Sequence, residues 1–145
     1  MTEVLLAAKA KNGVAASLRA YRAGGGYKAV DRALKEMKPA DLIPMIKDSG
    51  LRGRGGAGFP FGLKWSFVPT GEKHDGGPKY LVCNFDEMEP GTFKDRVIAE
   101  NNPHVLIEGM ILAGWAMEMT DGFIFIRREY FPQSRALETA IDEAR

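Results

Sequence analysis

Between positions 50 and 65 the chain reads Gly50-Leu51-Arg52-Gly53-Arg54-Gly55-Gly56-Ala57-Gly58-Phe59-Pro60-Phe61-Gly62-Leu63-Lys64-Trp65. A run so rich in glycine is disfavoured inside a helix or strand, because glycine loses more backbone entropy on ordering than any other residue. It is a loop, and its other residues set what the loop can do. Without Cβ atoms its backbone N–H groups can close around an anion. Arg52, Arg54 and Lys64 add positive charge, and Phe59, Phe61, Trp65 and Phe67 add flat apolar faces. A phosphate-bearing, ring-bearing ligand fits that combination; a purely structural glycine turn fits it too.

Gly53-Arg54-Gly55-Gly56-Ala57-Gly58 satisfies G-x-G-x-x-G, but the dinucleotide fingerprint needs a strand immediately before it. Here Pro39 to Ser49 reads as a helix ending at Gly50. No Gly-Lys-Ser/Thr follows at Walker spacing. Arg52-Gly53-Arg54-Gly55-Gly56 also looks like one unit of an RGG nucleic-acid segment, yet it is single and runs straight into Phe59, Leu63, Trp65 and Phe67. With 20 basic and 19 acidic residues the formal charge is +1, so nothing draws the chain as a whole to nucleic acid or anionic lipid.

The second dense segment runs from Tyr80 to Arg96. Tyr80 to Cys83 suits a short buried strand, and Asn84, Asp86, Glu87 and Glu89 begin where it ends. Ligands in open α/β sheets sit beyond the carboxyl ends of strands. Three carboxylates so close suit a solvated loop, but they are also good acceptors for ribose hydroxyls, and an Asn amide can donate to and accept from a heterocycle edge.

Around these segments, Met1 to Arg22 is weakly helical, Tyr27 to Met37 reads as an amphipathic helix, and Gly71 to Pro78 as a polar loop. Asn102 is an expected N-cap with Pro103 at the first helical position. Pro103 to Met119 reads as a core helix, in which Met110, Trp115, Met117 and Met119 are packing residues. Phe123 to Arg127 reads as a second buried strand, and Pro132 to Arg145 as another helix. Strand, helix, strand in that order makes a βαβ unit with parallel strands. His74 and His104 are expected in solvated or capping roles, and Lys94 and Arg96 as holders of the acidic loop or members of surface pairs. No apolar run approaches the length of a membrane span.

The stretches Gly50–Phe67, Tyr80–Arg96, Pro103–Met110 and Phe123–Tyr130 together closely resemble the NADH-binding flavoprotein subunit of bacterial respiratory complex I. Related NADH-linked hydrogenases and formate dehydrogenases carry the same module. The resemblance implies a Rossmann-like α/β FMN/NADH-binding module with βαβ units, parallel strands and N-terminal helices, incomplete at its C-terminus. Residues 1–38 would be a helical segment, and 39–145 the first part of the FMN/NADH domain. Gly53, Arg54, Gly55, Gly56, Ala57, Gly58 and Gly62 would line the cofactor cleft. Phe59 and Phe67 would stack against NADH, Lys64 would reach into the pocket, and Asn84, Asp86 and Glu87 would lie around the flavin. Glu89 would contact NADH and tune the flavin, with no side chain acting as nucleophile.

On this resemblance the chain is expected to be part of an NADH dehydrogenase flavoprotein that passes hydride from NADH to FMN and electrons through iron–sulfur clusters toward quinone. The other expectation is a truncated, non-catalytic piece that keeps the fold and not the cofactors. Implied partners are NADH and the peripheral-arm subunits of complex I, above all a thioredoxin-like 2Fe–2S protein, on the cytoplasmic side of the membrane and without insertion into it. The family's second glycine-rich loop with paired glutamates, its ubiquitin-like segment and its 4Fe–4S cysteines have no counterpart here. Cys83 is the one cysteine, so no internal disulfide is expected and metal ligation by this chain is not. Three residues depart from the family pattern. Phe61 is expected to narrow the cofactor entrance, Phe85 to point away from Asn84 and Asp86, and Arg128 to occupy a glycine position that could require φ > 0.

Overall fold

A computed structural model describes residues 5–6 and 14–145. In chain order it holds α1 (Leu18–Ala23), α2 (Lys28–Glu36), α3 (Pro39–Asp48), α4 (Phe61–Trp65), a 3-10 turn (Gly71–Lys73), β1 (Tyr80–Phe85), α5 (Lys94–Asn101), α6 (Pro103–Met117), β2 (Asp121–Ile126) and α7 (Phe131–Ala144). The expected helices from Tyr27 onward and both strands are present, their ends shifted by a few residues; of the weakly helical N-terminal stretch, Leu18 to Arg22 is helical among the described residues and 14–17 is not. The part of the weakly helical N-terminal stretch covering 1–4 and 7–13 lies outside the described residues.

β1 and β2 pair in parallel, from Tyr80 opposite Asp121 to Phe85 opposite Ile126. Parallel pairing requires a long crossover, which α5 and α6 supply. α6 is the hub, as an almost uncharged helix must be, and it packs against α2, α3, α5, α7 and both strands. Ala113, Ala116 and Met117 of α6 bury against Ala33, Leu42 and Trp65, while Phe85, Ala99 and Leu137 form a second cluster. Each large side chain buried this way contributes about 1.5–3 kcal/mol relative to exposure.

Three expectations change. The strands are covered on one face only: Tyr80, Val82, Phe123 and Phe125 are exposed on the other, because among the described residues no element lies over them. Asn102 occupies the N-cap position of α6 without a capping side-chain bond; it is buried, and its Nδ2 donates to the Leu5 carbonyl at 3.0 Å. His104 is wholly buried, with Nδ1 3.0 Å from Tyr27 Oη and Nε2 2.9 Å from Glu143 Oε2. Phe85, 2 % exposed, points into the core while its neighbour Asn84 faces out, as strand alternation requires.

Candidate nucleotide-facing site

The glycine-rich segment folds as a closed loop between α3 and α4. Its ends are tied by an antiparallel bridge between Arg52 and Pro60, by Gly53 N–H to Phe59 O at 2.9 Å and by Phe61 N–H to Leu51 O at 2.8 Å. Arg52 spans the loop, its guanidinium donating to the Gly58 carbonyl at 3.0 Å. At Gly56 (φ 116°) and Gly58 (φ 62°) the backbone is left-handed, a conformation that penalises a side chain. A Cβ built at Gly55, Gly56 or Gly58 would meet nothing within 4 Å. The loop is therefore bare backbone facing open space, a surface a phosphate can approach.

Around it Arg54 and Lys64 are exposed and have no ion pair among the described residues. Phe59 and Phe67 are also exposed, with ring centroids 6.3 Å apart and planes tilted by 53°. Exposed aromatic pairs of this kind offer stacking area beside positive charge. The loop thus brings together Gly53, Arg54, Gly55, Gly56, Ala57, Gly58, Phe59, Lys64 and Phe67.

Two residues of the same stretch face elsewhere. Gly62 is buried where α4 crosses α3, and a Cβ there would sit 2.5 Å from the Lys47 nitrogen. Phe61 packs half-buried against Trp65, centroids 5.1 Å apart, and joins the core around Leu42. Phe61 thus packs at the edge of the core rather than standing free in the loop. Arg128 is also corrected: its φ is not positive, the positive-φ non-glycine residues being Tyr27 and Glu118 among those described.

At the carboxyl ends of the strands the acidic residues separate into three environments. Glu87 is buried; its carboxylate accepts the Asp95 N–H at 3.0 Å and the Arg96 N–H at 3.4 Å, with the Arg96 Nε at 3.3 Å and Lys94 Nζ at 3.8 Å. Burial opposes its charge, but those backbone donors, Arg96 and Lys94 outweigh burial and hold its carboxyl below its ordinary value. Both its oxygens are used in capping the first turn of α5. Asp86 faces Arg127, Oδ1 to Nε 3.5 Å. Glu89 alone is exposed and has no partner on its carboxylate among the described residues. Asn84 is exposed too; its Oδ1 accepts the Asp86 N–H at 2.9 Å, which leaves its amide nitrogen outward.

The expectation that Lys94 and Arg96 hold the acidic loop matches these contacts. Tyr130 and Arg127 were not anticipated: the Tyr130 hydroxyl donates to the Glu87 carbonyl, and its ring lies 5.2 Å from the Arg96 guanidinium carbon and 5.9 Å from that of Arg127. The signal was the strand register, which carries Asp86 and Arg127 side by side past Phe85 and Ile126. A separate hollow of about 490 Å³ runs along the outer edge of β2, lined by residues such as Met110, Ile111, Ile126, Leu137 and Ile141. None of the candidate residues lines it, and it is apolar where the glycine loop and acidic shelf are charged.

Residues 46–145 match the family Complex1_51K, the Nuo51 FMN-binding domain. An NADH-quinone oxidoreductase subunit of Rhizobium meliloti (strain 1021) is 54% identical over 127 residues, covering 88% of this chain and 30% of the relative. The NADH-quinone oxidoreductase counterpart of Escherichia coli (strain K12) is 47% identical over 124 residues, 86% of this chain and 27% of the relative. Among solved structures, an NAD+-reducing [NiFe]-hydrogenase in the H2-reduced state superposes with a TM-score of 0.66 at 42% identity, over 72% of this chain and 18% of that one. The chain therefore spans about three tenths of the length of these oxidoreductase relatives.

That span corrects one expectation. This chain does not itself relay electrons through an iron–sulfur cluster toward quinone. A cubane needs about four thiolates, the sequence has one cysteine, and no group of three or more His, Cys, Asp or Glu among the described residues is placed to hold a metal ion. Cys83 itself is half-buried on β1, its thiol pushed up first by burial and then by Asp95. No helix among the described residues is long and apolar enough to cross a membrane. The α/β order, the parallel strand pair and the family match agree, and the chain belongs to the Nuo51 FMN-binding domain family.

Proposed function

We propose that this chain is a non-catalytic piece of an FMN-binding domain: it folds around α6 and presents one wall of a site for FMN and NAD(H), without completing that site alone. The observation that carries this reading is the bare, left-handed backbone at Gly56 and Gly58 beside the exposed Phe59 and Phe67 rings and the uncommitted Lys64. These residues fit a nucleotide. Backbone N–H groups and Arg54 take phosphate, the rings take a heterocycle face, and the Asn84 amide and Glu89 carboxylate take polar edges or hydroxyls.

FMN, when bound, supplies the redox chemistry, and the protein's part is binding and orientation. Asp86, held by Arg127, and Glu87, held by α5, keep the acidic loop in place, so Glu89 is the carboxylate left to meet a ligand. The enzymatic role belongs to a larger NADH dehydrogenase assembly, of the kind in which the NADH-quinone oxidoreductase relatives are subunits. Within it the peripheral-arm partners, including a thioredoxin-like 2Fe–2S protein, and a position on the cytoplasmic side of the membrane are part of this proposal, as is the division into a helical segment 1–38 and an α/β part 39–145.

The chain purified alone is expected to lose flavin on gel filtration and to leave NADH unoxidised with an artificial acceptor. One FMN retained per chain, with its yellow absorbance, would overturn the proposal.

A further inference from the structure

Tyr130 bonds to three pieces of backbone and faces two guanidiniums. Its N–H closes a turn on the Arg127 carbonyl at 3.1 Å, and its own carbonyl accepts the Ser134 N–H at 2.8 Å as α7 begins. Its hydroxyl crosses to β1's side and donates to the Glu87 carbonyl. Its ring has the Arg96 and Arg127 guanidinium carbons at 5.2 and 5.9 Å. Each of those cations is also pinned to a carboxylate of the acidic loop, Arg96 to Glu87 at 3.3 Å and Arg127 to Asp86 at 3.5 Å. Both pairs are partly exposed on the arginine side, so neither ion pair alone fixes a geometry. A ring shared by two guanidiniums, with a hydroxyl on the carbonyl of Glu87, holds both pairs in one arrangement.

Besides these contacts the segment is tied by the Arg96 guanidinium donating to the Thr92 carbonyl at 2.7 Å and by the Asp86 N–H donating to Asn84 Oδ1 at 2.9 Å. From Met88 to Gly91 the residues are exposed, Gly91 has φ 82°, and the internal tie is Thr92 N–H to Glu89 O at 3.0 Å. We propose that Tyr130 is a positioning residue, fixing the acidic loop 86–93 at the strand ends so that Glu89 stands in a set place there. The proposal rests on the nucleotide-facing reading of that site for its purpose, though not for its geometry. Nothing in the Tyr130 contacts touches a ligand; the residue acts through Glu87 and the two arginines.

The experiment is residue-resolved amide hydrogen exchange on this chain and on Tyr130→Phe and Tyr130→Ala, with and without millimolar NADH. The Phe variant keeps the ring and removes only the hydroxyl. It is expected to raise exchange at Asp86 and Thr92 several-fold and to leave Ala113 in α6 at the parent rate. The Ala variant is expected to add Asp95 and Arg96, whose N–H groups donate to Glu87. Unchanged exchange across 86–96 in both variants would overturn the proposal, as would loosening spread equally through α6 and β2, the mark of a merely structural residue. NADH separates the two claims. If the loop loosens in the variants while NADH leaves the parent's exchange at every site untouched, the clamp stands and the nucleotide reading falls. If NADH protects the parent's loop and the variants protect it equally, the clamp falls and the nucleotide reading stands.

Discussion

His104 Nε2 lies 2.9 Å from Glu143 Oε2 although 39 residues separate them, and the ring's other nitrogen is 3.0 Å from the Tyr27 hydroxyl. Burial, then the Glu108 charge, pushes Tyr27 up to about 12, so its hydroxyl stays protonated and donates to Nδ1. The Glu143 carboxylate faces Nε2 on the other side of the ring. This chain of bonds ties the segment before α2 to α6 and α7, and Tyr21, stacked 5.7 Å from the same ring, adds its hydroxyl bond to Glu108. Tyr27→Phe leaves a buried acceptor without a donor, and is expected to cost about 1–3 kcal/mol, measured by urea denaturation.

Acid should destabilise the fold through carboxyls whose charge the fold holds, Glu143 and Glu87 among them. Glu143 is held below its ordinary value by the Leu18 N–H and then by His104, and Glu87 by the α5 N–H groups and Arg96 against the opposing effect of burial. A carboxyl lowered in the folded state contributes stability that is complete above the unfolded value, near 4.5, and is lost as pH falls through the lower folded value. Urea midpoints are therefore expected to hold from neutral pH down to the ordinary carboxylate range and to fall below it, with Glu87→Gln removing part of the slope.

Glu87 and Glu89 should separate cleanly when mutated. Glu87→Ala strips the N–H groups of Asp95 and Arg96 of their acceptor and leaves the Arg96 charge without its partner, expected to cost about 2–4 kcal/mol. Glu89→Gln touches nothing in the fold and is expected to leave the denaturation midpoint where it was while weakening any NADH-dependent signal.

Gly62→Ala and Gly55→Ala form a matched pair. At Gly62 the new methyl meets the α3 backbone at 2.5 Å, so the two helices must separate, at a cost of about 1–3 kcal/mol. At Gly55 it meets nothing, and stability is expected to stay within about 0.5 kcal/mol. Phe61→Thr is expected to behave like the first of these, losing about 2 kcal/mol or more as a core truncation, whereas Arg128→Gly brings no relief because Arg128 is not strained. Thermal midpoints of the four variants check this ordering.

Much of the fold was legible because its signals are local. Apolar runs at Tyr80–Cys83 and Phe123–Ile126, with Pro103 opening the helix between them, specify a parallel βαβ unit without reference to distant residues. The loop at Gly53–Gly58 was legible for the same reason. The sorting of Asp86, Glu87 and Glu89 was not, since it depends on which N–H groups α5 turns toward the strand end and on Arg127 arriving from β2. The burial of His104 is not legible in sequence because its partners are 77 and 39 residues away. The packing of Phe61 is not legible either, because being inside a glycine loop and being at the first turn of a helix look alike in one dimension, and only the packing of α4 on α3 and Trp65 distinguishes them. The open face of the two strands could not be read either, because an apolar strand looks the same whether its second face is covered or bare.

The most direct test of the central claim is a map of backbone NMR shifts of this chain on addition of millimolar NADH. Weak binding is expected to perturb Gly53–Gly58, Phe59, Lys64, Phe67, Asn84 and Glu89 together, with Gly62 and the outer edge of β2 unmoved. Shifts confined to the apolar hollow beside Met110 and Leu137, or no shifts at the glycine loop and Glu89, would contradict it.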